Sequence, residues 1–400
     1  MMHKPVNVTQ PRAPASPRLS HWLWLLVPIA VLAMAIVWLF QANPLQSFNN
    51  GAPPVENLTI ERTILDHNGL QLLVRAGGSD PMMIAQVQVD DAYWEFQQNP
   101  QGRIARGETA WISLPFPWVL GETHKVNFVT NTGATFEHEI AVAVPTPLAT
   151  SSSLWAQAIL GAFVGILPVA IGLMCYPALR GAGPGTMTFL LAMTVGLLAF
   201  LLIDTLVEAL EFAAKSAAIF QGSAMVVLVA AASFLVLMGI GRRHGTPTGL
   251  ALATYIALGI GLHNFGEGLA IGAAFTAGAA GLGTFLVLGF TLHNITEGIG
   301  IAAPILRKTP TLAAFAGLTL LAGGPAVIGI WIGSLAYAPQ WTAIALAIGA
   351  GAIAQVIIEV SALIVRSRSA GISALLAPST FGGLAAGASF MYITAMLVKI

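Results

Sequence analysis

From Leu154 to its C-terminus the chain is a succession of apolar segments, about eight by hydropathy, separated by short polar connections. They fall near 154–176, 186–210, 221–241, 248–274, 284–304, 311–334, 341–364 and 379–398. A run of roughly 20 apolar residues satisfies its own backbone hydrogen bonds in hydrocarbon only as a helix, so the pattern predicts an all-α polytopic membrane bundle. Composition agrees, with 56% hydrophobic and 8% charged residues, far from the roughly one-quarter charged residues of a soluble domain. The 17 basic and 17 acidic residues cancel, which leaves no net field for nucleic acid. A single cysteine, Cys175, excludes an internal disulfide and a cysteine-rich metal cage.

Ahead of the bundle lie two further parts. Residues 1–21 form a polar, proline-rich tail with Lys4, Arg12 and Arg18, followed by an uncharged run over 22–40. That run is long for a signal peptide and suits an uncleaved signal-anchor helix with the tail cytoplasmic. Residues 41–150 are polar, with alternating stretches such as Ile84 to Val89 and Phe136 to Val142 broken by Gly, Pro, Asn and Asp. Strands and turns read this way, and we expect a small extracytoplasmic β-sandwich with its linkers, then the eight-helix bundle over 151–400. Basic residues check the topology. Arg180, Arg242 and Arg243, Arg307 and Lys308, and Arg366 and Arg368 fall in alternate connections, while the other loops of the bundle hold only Lys215. By the positive-inside rule the C-terminus then lies outside, in an integral protein of the bacterial inner-membrane type.

Two stretches thirty residues apart say nearly the same thing: HNFGEGLAIG from His263 and HNITEGIGIA from His293. Residues four apart on a helix share a face about 6 Å apart along the axis, so His263 pairs with Glu267 and His293 with Glu297. Ionisable side chains at this depth are costly and mark function by default. Neutral imidazole with carboxylate suits Zn²⁺, Fe²⁺, Mn²⁺, Co²⁺ or Ni²⁺, two carboxylates balance a dication, and the lack of a nearby thiolate argues against Cu(I). The helices run in opposite directions, which puts the imidazoles at one level, Glu267 toward the outside and Glu297 toward the inside. Asn264 and Asn294 offer amide oxygens as weak ligands or hydration sites. The glycines after each Glu, Gly268 and Gly298, permit close helix approach or local unwinding.

HNFGEG and HNITEG resemble the fourth and fifth helix motifs of the ZIP (Zrt/Irt-like) metal transporters, and the likeness covers about residues 154–400. The resemblance implies His263, Glu267, His293 and Glu297 as transport-site ligands, Asn264 and Asn294 at a neighbouring position, and uptake of a divalent cation, Zn²⁺ foremost, toward the cytoplasm. No catalytic cofactor is implied. The proline usual before each motif Glu is Gly266 and Thr296 here, the sixth-helix motif reads Ala322, Gly323, Gly324, Pro325 and lacks the carboxylate that would bridge a second metal, and the loop after the third helix has a single histidine, His244. One metal site is therefore expected.

Other acidic residues are candidates for the path. Asp204, Glu208 and Glu211 share a face near the outer end of the second bundle helix, suited to drawing in cations or to a solvated helix end. Gln355 and Glu359 lie toward the inner end of the seventh, placed to receive a released ion or to bond a neighbouring helix. His67, His124 and His138 of the β region show no metal-ligand spacing. The expected partners are the lipid bilayer, divalent metal ions and, through the outer domain, a second copy of the chain. An intramembrane metal-dependent hydrolase and a metal-sensing receptor are the alternatives. Against them stand the absence of HExxH and of a cytoplasmic output domain.

Overall fold

A computed structural model describes residues 19–42, 54–146, 150–243, 245–276, 280–335, 338–367 and 371–398. Lys4, Arg12 and Arg18 of the tail, His244 and Arg368 lie outside them. The chain divides into two units, Met1–Pro54 and Val55–Ile400. The described part of the first is one helix, α1 (Leu19–Ala42), with its apolar stretch at Leu26–Leu39. The run expected over 22–40 falls within it.

The second unit begins with strands β1 (Leu58–Asp66), β2 (Gly69–Ala76), β3 (Ile84–Val89), β4 (Ala92–Trp94), β5 (Gln97–Asn99), β6 (Thr109–Leu114), β7 (His124–Thr130) and β8 (Thr135–Ile140). They form two four-stranded antiparallel sheets, in the orders β1-β2-β6-β5 and β4-β3-β7-β8. Alternate residues of β2, β6 and β7 are buried, and Leu72, Val74, Val87, Ile112 and Phe128 meet in a single core between the sheets. The period-2 pattern read in the sequence therefore selects the inward face. Asp90 and Asp91 both have positive φ (49° and 65°) in the two-residue turn joining β3 to β4, which suits the twist of a tight hairpin.

The bundle consists of α2 (Ser151–Arg180), α3 (Pro184–Ala214), α4 (Gly222–Arg242), α5 (Gly249–Thr276), α6 (Ala280–Ala302), α7 (Leu312–Leu335), α8 (Pro339–Ser367) and α9 (Pro378–Val398). Among the described residues, six of these, α2 to α5, α7 and α8, are long and apolar enough to cross a membrane. The chain is a polytopic integral membrane protein with an added β domain. Large apolar side chains stand exposed along the outer faces, among them Leu228, Leu235, Val236, Leu288 and Ile328. Such a surface is stable against lipid and not against water. Inside, α5 packs most extensively on α7, and α8 is wrapped by α3, α4 and α5.

Glycine makes the α5–α7 and α2–α6 approaches this close. A Cβ at Gly268 would lie 2.3 Å from the carbonyl oxygen of Ala326, and one at Gly298 would lie 2.4 Å from that of Val169. The small residue after each motif Glu thus lets a neighbouring backbone come into contact. Unwinding, the other use anticipated for these glycines, does not occur: α5 and α6 are helical straight through both motifs. The irregular backbone belongs to their neighbours, α2 with a π-helical turn over Ala162–Ile166 and α7 with Pro325 inside it.

Candidate metal centre

Both motif histidines and both motif glutamates are buried at the centre of the bundle. Glu267 Oε1 receives His293 Nε2 at 2.8 Å and lies 2.9 Å from His263 Nε2, the latter pair out of hydrogen-bond alignment. One carboxylate oxygen thus bridges the two imidazoles, whose ring centres are 6.2 Å apart. Phe290 closes one side of His293 edge-to-face at 5.6 Å. Ligand atoms of His263, Glu267 and His293 all fall within 4.8 Å of one another, a spacing a single first-row dication can collect.

Glu297 is placed differently from the symmetrical arrangement expected. It is not in the 4.8 Å group, and it lines a gap too narrow for a water molecule with His293 and Thr296 of α6, Thr194, Leu197, Leu198 and Leu201 of α3, and Met391 of α9. Both glutamates stand one turn after their histidines, so the offset comes from how the two helices rotate and cross and not from the spacing. Among the described residues neither carboxylate oxygen of Glu297 makes a well-aligned hydrogen bond, the Asn264 side chain being the polar group within reach, and Glu267 Oε2 has no partner. A buried carboxylate in hydrocarbon without a partner is costly, so this donor set fits a cation.

The asparagines divide their two ends between structure and site. Asn264 Nδ2 donates to the carbonyl of Ala322 on α7 and Asn294 Nδ2 to that of Val164 on α2, both at 3.0 Å. Because only the nitrogen can donate to a carbonyl, these bonds also fix which way each amide faces. Each Oδ1 is left buried and unpartnered among the described residues. Val164 is available for a reason legible in the chain: its carbonyl would accept from the N–H of residue 168, which is Pro168. Sequence reading passed over Pro168 and Val164, although a proline four residues after an apolar position inside a span signals a free carbonyl.

Thr296, where the resemblance has proline, donates its hydroxyl to the His293 carbonyl at 2.7 Å, a back-bond that loosens the turn locally. Asp204 and Glu208 sit half-buried on α3, one and two turns beyond the Leu201 that lies beside Glu297, whereas Glu211 is exposed. Gln355 and Glu359 are buried on α8. In the β domain His124 Nδ1 meets Asp90 Oδ2 at 2.7 Å, His138 Nε2 meets Thr63 Oγ1 at 2.9 Å, and His67 is exposed in the β1–β2 turn. Each has a separate local role, so they form no shared site.

No family model matches this chain, and no curated protein matches it.

Proposed function

We propose that the chain carries a divalent metal ion, Zn²⁺ or a similar ion such as Fe²⁺ or Mn²⁺, through the bundle toward the cytoplasm, in the manner of the ZIP transporters that its paired motifs resemble. The observation that supports this best is the buried trio of His263, Glu267 and His293, with ligand atoms within 4.8 Å in the middle of apolar helices. Glu297, beside His293, supplies the second negative charge, and the Oδ1 atoms of Asn264 and Asn294, without partners among the described residues, complete a set of hard and borderline donors. Asp204 and Glu208 would draw the ion in from the outer side, and Gln355 and Glu359 would take it on the inner side. In this reading α2 to α9 all span the membrane, α1 is a signal anchor, the β domain is extracytoplasmic, and the N- and C-termini are inside and outside respectively. Alternation of Arg and Lys among the connections supports that orientation.

Metal analysis of the purified protein, paired with uptake by proteoliposomes, tests the reading. Saturable uptake of Zn²⁺ or Mn²⁺ is expected, and Glu267→Gln should lower metal affinity by roughly a hundredfold or more, because it replaces the anionic oxygen that would ligate the ion and that holds His293 with a neutral amide. Glu297→Gln should lower uptake with a smaller effect on affinity. Near-normal saturable uptake by the Glu267→Gln, Glu297→Gln double variant would sink the proposal.

A further inference from the structure

The inner half of the bundle holds a second line of buried oxygens that leads away from the metal centre and ends on a cation belonging to the protein. Helix α8 passes the centre at Gly349, where a Cβ would lie 3.1 Å from the His263 Cα. Six residues further on, about 9 Å inward along the helix, Gln355 lays its Oε1 against Gly259 of α5, 3.2 Å from where a Cβ would be. One turn beyond it Glu359 shares the same face. Both side chains are essentially buried, at 2% and 1% exposure. Gln355 Oε1 and Glu359 Oε2 have no hydrogen-bond partner among the described residues.

Glu359 Oε1 is held by Arg242 at the last turn of α4, Nε to Oε1 at 3.3 Å. The pair is lopsided: the Glu359 side chain is 1% exposed and the Arg242 side chain 43%. A carboxylate at that depth requires a countercharge, whereas a guanidinium nearly half in water gives up little by letting go. The contact is a single long hydrogen bond through Nε and not the two-pronged clamp that Arg makes where an ion pair is permanent. Only one of the carboxylate oxygens is engaged, and the other stays open on a face shared with Gln355.

Resting on the transport reading above, we propose that Arg242 is a tethered cation that closes the inner end of the ion path. Its guanidinium occupies Glu359 until the metal ion, handed on through Gln355, replaces it, and Arg242 swings into water as the ion leaves. The exchange keeps one positive partner on Glu359 throughout, so the buried carboxylate is never left bare.

The test labels the inner end directly. In the full chain with Cys175→Ser, the protein's one native cysteine removed, Gln355→Cys is exposed in oriented proteoliposomes to a membrane-impermeant cationic thiol reagent on the inner side. With Arg242 present labelling should be slow, and Arg242→Gln should speed it roughly tenfold or more, the usual range for a coupling between two states. Arg242→Lys should restore slow labelling, since any tethered cation serves. Because Arg242→Gln alone leaves Glu359 unpaired and could misfold, Arg242→Gln with Glu359→Gln provides a second, uncharged opening and should label as fast. Equal labelling rates in all four proteins would overturn the proposal. Labelling needs no metal, so it is independent of the transport reading, which vesicles of the unsubstituted protein report through Zn²⁺ accumulation. Arg242-dependent labelling without accumulation by the unsubstituted protein would reject transport, and accumulation with Arg242-independent labelling would reject the gate alone.

Discussion

Asn294 donates its side-chain amide to the carbonyl of Val164 at 3.0 Å, the carbonyl whose α-helical donor would be the N–H that Pro168 lacks. A defect in α2 and a side chain of α6 therefore complete each other, while the oxygen of the same amide is buried without a partner among the described residues. Asn294→Leu should destabilise the detergent-solubilised protein by about 1 kcal/mol, between the typical ~0.6 kcal/mol of an interhelical bond in a membrane and the larger cost of an orphaned group. Pro168→Ala restores a backbone donor, so it should recover part of that loss in the double variant. Thermal unfolding of the four proteins in the cycle checks this, and strictly additive effects would show that the two residues do not share the carbonyl.

Two adjacent glycines in α7 should respond oppositely to the same change. A Cβ at Gly323 would lie 2.5 Å from the carbonyl oxygen of Gly165 on α2, while one at Gly324 meets nothing within 4 Å. Gly323→Ala forces α2 and α7 apart beside the π-helical turn and should cost about 1–3 kcal/mol, as overpacking does. Gly324→Ala should be neutral or slightly stabilising, since alanine is the better helix former. Equal melting temperatures for the two variants would contradict the packing described.

The β domain should lose stability in mild acid through His138. Burial holds its imidazole below the usual histidine value of 6.5, and it is hydrogen-bonded to Thr63. The folded domain thus keeps a neutral ring that the unfolded chain protonates more readily. The stabilisation is complete above pH 6.5 and declines as the pH falls below it, levelling off under the folded-state value. Hydrogen-exchange protection in β1 and β8 should weaken from pH 7 to pH 5, and His138→Gln should flatten the dependence. A pH-independent wild-type profile would refute this account.

The bundle should tolerate removal of everything before it, provided the cut spares Thr150. Thr150 caps α2, its side chain accepting from the Ser153 N–H while Ser153 reaches back to the Thr150 N–H. Contact with the β domain lies at the helix ends, as where Arg75 stacks over Phe220 at 5.4 Å, and away from the metal centre. A chain beginning shortly before Thr150 should insert and bind Zn²⁺. One beginning at Ser151 should unfold more readily, by about 1 kcal/mol for the lost cap. Insertion without metal binding in the longer chain would mean that the β domain contributes to the site.

What the sequence determined is what nearest neighbours along the chain decide. Hydropathy marked the apolar segments because hydrocarbon admits only a self-bonded helix, period-2 alternation marked the strands because successive side chains face opposite ways, and the two HN..EG repeats put His and Glu on shared helix faces through i,i+4 spacing. The glycines after Glu267 and Glu297 already signalled close packing. Which atoms meet was a matter of how helices rotate and cross, and no local spacing contains that information. So the symmetrical motifs gave an unsymmetrical centre, with Glu267 bridging both imidazoles and Glu297 beside them. The same non-local geometry set Asn294 on the carbonyl freed by Pro168, brought Arg242 to Glu359 across 117 residues, and ordered the strands of the β domain into two sheets. Side-chain reach between separate helices is fixed only when every helix has found its place, because each contact is a small difference among many packing terms that the whole bundle satisfies together.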